Sequence, residues 1–169
     1  MKNLKLLLLV ALILVSCSTQ ESEYNTERMT LEQIRTDWRF YGFDIYYQQY
    51  RIDSALLSEF KTSFNPNNFK FLFFTSPACY TCGKLDSLIP FALRIIKEAG
   101  FSDSCFEIYH TPALNAHHPY ETKLKLTAIP SAFSFDRNVK FYSIIDTYRI
   151  RKIDSASLKL ENILIESVK

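Results

Sequence analysis

Apolar and polar positions divide this chain into stretches with different periods. Leu6 to Val15 is an unbroken apolar run behind Lys2 and Lys5, and residues 18–29 then carry almost no aliphatic side chain, so residues 17–29 read as a polar tether. Leu31, Ile34, Trp38, Tyr41 and Ile45 recur at helical spacing. Tyr41, Phe43, Ile45 and Tyr47 also fit a period of two, but helix is the reading preferred here. The rings of residues 38–50 read as core packing, with a surface for peptide or glycan as the alternative. Asp53 or Ser54 is placed to cap a second helix through Leu56, Leu57 and Phe60, stopping before Asn65-Pro66-Asn67-Asn68.

From Phe69 the pattern becomes regular. A strand is predicted over 69–75 and a helix over 83–98, with Leu85, Leu88, Ile89, Ala92 and Ile96 on one face and Gly100 as its terminator. A strand over 105–109 follows, ended by His110-Thr111-Pro112, and the stretch to Leu126 is read as a further helix despite Pro119. Strands at 131–135 and 139–145 flank a hairpin turn at Asp136-Arg137-Asn138, and Asp154 caps a last helix with Leu158, Ile163 and Ile165. The order β-α-β-α-β-β-α predicts an α/β domain.

The first apolar run is too short for a comfortable bilayer span and has the length of a signal-peptide core, so residues 1–16 are read as an export signal. Its end, Leu14-Val15-Ser16-Cys17, resembles the lipobox of bacterial lipoproteins. That resemblance implies lipidation of Cys17 and a chain held in the bacterial cell envelope, with Ser18 pointing to the outer membrane, facing the periplasm. The rest, residues 30–169, suffices for one domain with a helical extension at 30–65 and a core at 69–168. Without Lys2 and Lys5 the chain has 18 basic residues against 18 acidic ones, and no block of like charge points to nucleic acid. A monomer is expected.

Four cysteines are present, and with Cys17 assigned to lipid one close pair remains, too few for a disulfide scaffold. Cys79-Tyr80-Thr81-Cys82 follows the strand ending near Thr75 and precedes the helix expected from Gly83. A helix N-terminus there would favour the Cys79 thiolate, although the net gain in its attack is only about threefold, because nucleophilicity falls with pKa. A Cys-x-x-Cys also occurs in zinc sites. Cys105 reads as a small buried apolar residue. His110, His117 and His118 are read as polar surface, and no metal is assigned.

The element order, the cysteine pair after the first core strand and Thr127-Ala128-Ile129-Pro130-Ser131 before the hairpin together resemble the thioredoxin superfamily over residues 69–168. The resemblance implies a three-layer α/β/α sandwich with a mixed central sheet and a cis-proline, carried here by Pro130, facing the sulfurs. It implies thiol–disulfide exchange in which Cys79 attacks and Cys82 resolves, with no cofactor beyond the redox-active Cys79–Cys82 pair. Ile129, Pro130, Tyr80 and Thr81 are the expected contacts for exported thiol or disulfide proteins, the Ile129 backbone pairing with an extended substrate.

The chain departs from thioredoxins proper at Ala78, where they carry Trp, at Tyr80-Thr81, where they carry Gly-Pro, and at Phe73, where they carry a buried Asp. Those departures motivate a rival class: a non-catalytic binding or assembly module with a static Cys79–Cys82 bridge. Reductase, isomerase and oxidase directions all stay open.

Overall fold

A computed structural model describes residues 25–80, 86–136 and 140–169. The signal segment, Cys17, Thr81, Cys82 and the hairpin tip at 137–139 lie outside the described residues. Among the described residues no helix is long and apolar enough to cross a membrane.

The described chain is a mixed α/β structure with a five-stranded mixed sheet and six α-helices. Strand β2 (Phe69–Thr75) holds the centre, parallel to β3 (Phe106–His110) and antiparallel to β4 (Ser131–Asp136). Beyond them lie β1 (Glu27–Met29), antiparallel to β3, and β5 (Phe141–Ser143), antiparallel to β4. The spatial order is β1-β3-β2-β4-β5. The tether reading is corrected at its end, because Glu27, Arg28 and Met29 are pinned as an edge strand through pairs such as Arg28 with Tyr109.

The helical extension forms as α1 (Leu31–Thr36), a 3-10 turn at Trp38–Phe40, α2 (Tyr41–Gln49) and α3 (Ser54–Ser63). Its ends are set locally. Thr30 and Gln33 make a reciprocal capping box at α1, and Asp53 accepts the Ala55 and Leu56 N–H groups at α3. Asp37 caps the 3-10 turn through the Arg39 N–H and breaks what the spacing had suggested was one long helix.

The next helix corrects the sequence reading. Helix α4 is Leu88–Glu98, so it starts well after Gly83. Pro90 gives the reason: in the first turn its missing N–H goes unneeded, whereas a helix begun at Gly83 would place it in the interior. Gly100, at φ 83°, ends α4 as expected.

No helix forms between Thr111 and Pro130. Pro112 and Pro119 interrupt that stretch, and the backbone there closes tight turns, such as Glu121 N–H to the His118 carbonyl at 3.1 Å. The final region also differs. Ile144 and Ile145 open α5 (Ile144–Asp154) instead of extending β5, Asp154 ends that helix, and the last helix is α6 (Leu160–Glu166). Their β-branched side chains suggested strand, but both are buried under the sheet face from the first turn of a helix.

Strand alternation sends Phe71, Phe73, Phe106, Ile108 and Ala132 to one face, where they pack with Leu31, Ile34, Phe43, Phe60, Ile89, Leu93, Ile144 and Ile163 from all six helices. Leu72, Phe74, Tyr109 and Phe133 point the other way and are covered by Leu124, Leu126 and Tyr120 from the irregular stretch. The second helical layer expected from the sequence is therefore absent among the described residues. Irregular chain takes its place.

One deep carboxylate ties the last helix to the extension. Glu161, fully buried on α6, accepts the Tyr50 hydroxyl at 2.7 Å and the Asp53 N–H at 3.1 Å, which locks α6 to the extension.

Candidate functional site around Cys79

Strand β2 delivers the chain through Ser76 into a 3-10 turn, Pro77–Tyr80, that carries Cys79. The turn is held at three points. The Cys79 N–H donates to the Ser76 carbonyl at 3.0 Å, the Cys79 carbonyl accepts the Asp86 N–H at 3.0 Å, and the Ser76 Oγ lies 3.6 Å from the Cys79 Sγ. Cys79 is a free thiol and is 8% exposed. Its access to solvent is narrow.

Because α4 starts at Leu88, Cys79 is carried by the Pro77–Tyr80 3-10 turn and not by the first turn of α4. Dipole effects fade within the first turn, and Cys79 lies outside it.

Tyr80 is the second correction. Expected at the substrate surface, it is fully buried, its hydroxyl 2.7 Å from Thr75 Oγ1 and its ring against Phe40 and Phe43 at centroid distances of 5.9 and 5.5 Å. Burial pushes the phenol far above its usual pKa, with the Thr75 hydrogen bond opposing only part of that rise. A phenol in this setting anchors the turn to the helical extension and cannot touch a partner.

Ile129 and Pro130 arrive from the other side. Phe74 pairs with Ser131 in the antiparallel register of β2 and β4, so Pro130, immediately before β4, comes beside the end of β2 from which Cys79 departs. The Ile129–Pro130 peptide bond is cis, as the resemblance implies. Pro130 is buried, Ile129 is half-buried, and Ile129 packs against the apolar cluster that also contains Cys79. The Ser131 hydroxyl donates to the Ala128 carbonyl and tightens the entry to β4.

Three contributors escaped the sequence reading. Ser76 was adjacent but carried no signal beyond proximity. Asp86, half-buried and one residue before the Ser87 N-cap, accepts the first N–H of α4, that of Leu88, at 3.1 Å, and its other carboxylate oxygen accepts from Arg149 on α5. Arg149 lies 63 positions away in sequence, beyond any local pattern. Replacing Asp86 by alanine removes the bond to the Leu88 N–H and the ion pair; the expected loss is about 1 kcal/mol, read by urea denaturation.

The histidines are dispersed. His110 stands edge-on to Phe40 at 5.7 Å, His117 pairs with Glu121 at 2.9 Å, and His118 is buried against Phe74 at 4.9 Å instead of lying on the surface. Burial pushes the His118 pKa down. Among the described residues no cluster of three His, Cys, Asp or Glu side chains could hold a metal ion. Cys105 is buried, as a small apolar residue would be, in a 3-10 turn before β3.

The aromatic stretch divides in two. Phe40, Phe43 and Tyr47 are core, whereas Trp38 and Tyr41 are exposed, as is the neighbouring Ile45.

No protein-family model, curated protein or solved structure matches this chain significantly.

Proposed function

We propose that this chain is a thioredoxin-like thiol–disulfide oxidoreductase of the bacterial envelope, tied to a membrane by lipid on Cys17. The observation that carries the reading is the meeting of two segments at one end of the sheet: Cys79 leaves β2 where Ile129-Pro130 enters β4. The Cys79 thiolate attacks a disulfide in an exported protein, forming one mixed disulfide and releasing one partner thiolate, which takes up a proton. Cys82 then loses its proton and displaces the second partner sulfur. The products are a Cys79–Cys82 disulfide and a partner dithiol, two electrons having passed to the partner. The same steps run backwards in oxidation. Ile129 offers backbone groups to an extended partner segment beside the sulfur, while Tyr80 contributes from below by fixing the turn.

The second reading, a non-catalytic module, is favoured by the burial of Cys79 and by the late start of α4, whereas its static Cys79–Cys82 bridge is at odds with the free Cys79 thiol. One experiment separates the two. A Cys82→Ser chain is expected to accumulate mixed disulfides between Cys79 and envelope proteins, visible on non-reducing gels and gone when Cys79 is also replaced by serine. Finding no adducts in oxidising medium would leave the binding module standing.

A further inference from the structure

The aromatic residues that the core does not use form a surface of their own. Trp38, Tyr41 and Ile45 are 83%, 60% and 51% exposed; Tyr41 and Ile45, four apart on α2, share the face opposite the buried Phe43 and Tyr47, and Trp38 stands in the 3-10 turn that leads into that helix. Exposing such side chains to water costs free energy that burial recovers.

What lies near it is the entry of the chain into the fold. The Arg39 guanidinium, next to Trp38, lies 4.0 Å from the carboxylate of Glu27, the first residue of β1. Asn25, where the described chain begins, follows Cys17 by only eight residues, a length that spans at most about 29 Å. A lipid on Cys17 therefore keeps the β1 edge, where Thr26 bonds the His117 carbonyl and Glu27 faces Arg39, within that distance of the bilayer, and any face within that reach meets the headgroups at high local concentration.

The patch suits that neighbour. Trp and Tyr are the residues enriched at the membrane–water boundary, where an apolar ring and a polar tip are both satisfied. The flanking cations bring no unpaired charge into the headgroup layer, because Arg35 pairs with Asp44 at 2.6 Å and Arg39 with Asp37 at 2.6 Å. The other exposed apolar pair, Ile150 and Ile153 on α5, includes no aromatic ring.

We infer that Trp38, Tyr41 and Ile45 rest on the lipid surface that carries the Cys17 anchor, setting which way the domain faces. This inference rests on the lipidation reading above, and its test keeps the two apart. Trp38 is the single tryptophan of the chain, so its fluorescence reports the patch alone. The mature protein, isolated from its own membranes, is reconstituted into vesicles of phosphatidylethanolamine and phosphatidylglycerol, and mass spectrometry of its N-terminal peptide reads the lipid. With lipid present, Trp38 emission is expected to shift to the blue and to fall about twofold with acyl chains brominated near the headgroups. Ile45→Asp, at an exposed position, is expected to return the emission to that of a ring in water.

A lipidated protein whose Trp38 emits as in water and ignores the brominated lipids overturns the docking while leaving the anchor intact. An N-terminal peptide without lipid removes the anchor and the docking with it. A blue shift that grows with protein concentration in lipid-free detergent, with dimers in sedimentation, assigns the patch to a second copy and overturns the lipid assignment. Persistence of the shift in Ile45→Asp counts against docking as well.

Discussion

Tyr80→Ala is expected to destabilise the domain by about 4 kcal/mol, because it removes a fully buried ring from a well-packed site and leaves a cavity. The ring touches Phe40 and Phe43 in the extension, and its hydroxyl holds Thr75 at the end of β2, so three segments lose a shared contact. Stability of a domain this size is on the order of 5–15 kcal/mol, so the variant keeps only part of it. Tyr80→Phe isolates the hydroxyl. It retains the ring and strands the Thr75 hydroxyl, for an expected loss of about 1 kcal/mol. Urea denaturation measures both. A Tyr80→Ala loss no larger than that of Tyr80→Phe would show that the ring does not support the turn. The same pair bears on chemistry: a buried anchor predicts that Tyr80→Phe, combined with Cys82→Ser, still traps partners on Cys79 as Cys82→Ser alone does.

Glu107→Gln is expected to cost about 3 kcal/mol at neutral pH and almost nothing near pH 2. Burial by itself raises the Glu107 carboxyl pKa, but hydrogen bonds from Lys70 Nζ, the Tyr109 hydroxyl and the Tyr120 hydroxyl, each at 2.7 Å, outweigh it and hold the value at about 2 instead of 4.5. A carboxyl depressed on folding contributes stability that is fully present above its unfolded pKa and disappears as pH falls through the folded one. The window is therefore about 4.5 down to about 2. That drop in pKa corresponds to roughly 3 kcal/mol. Both tyrosines are pushed up by burial and by their bonds to the carboxylate, so they remain donors across this range. Denaturation midpoints of the natural chain and Glu107→Gln at pH 7 and pH 2.5 check the prediction. Curves that stay equally far apart at both values would assign the loss to packing.

This carboxylate also explains how a face without helices is covered. Glu107 binds Lys70 of β2, Tyr109 of its own strand, Tyr120 of the irregular stretch and, at 3.4 Å, Arg28 of β1. Charge-assisted bonds thus hold the irregular stretch over the sheet. Phe74, Leu72 and Phe133 are kept dry beneath it.

Several elements were legible because their causes are local. The run Phe69 to Thr75 is apolar enough for a central strand buried on both faces, Asp53 caps the helix it precedes, and Gly100 takes the left-handed conformation that ends α4. The cysteine pair, Ile129-Pro130 and the spacing of rings around Phe43 could likewise be read residue by residue. Even the late start of α4 was written locally in Pro90 and was outweighed by the longer apolar stripe. The rest depended on partners distant in sequence. Whether Tyr80 faced a substrate or the core was decided by Phe40 and Phe43, and whether residues 111–130 became a helix by turns and by a carboxylate on β3. Arg149 reached Asp86 only once α5 had packed beneath the sheet. Periodicity reports which side chains seek burial, since that is a property of each residue and its near neighbours. It carries no information on which surface buries them, because that choice is made by contacts that exist only after the chain has closed on itself.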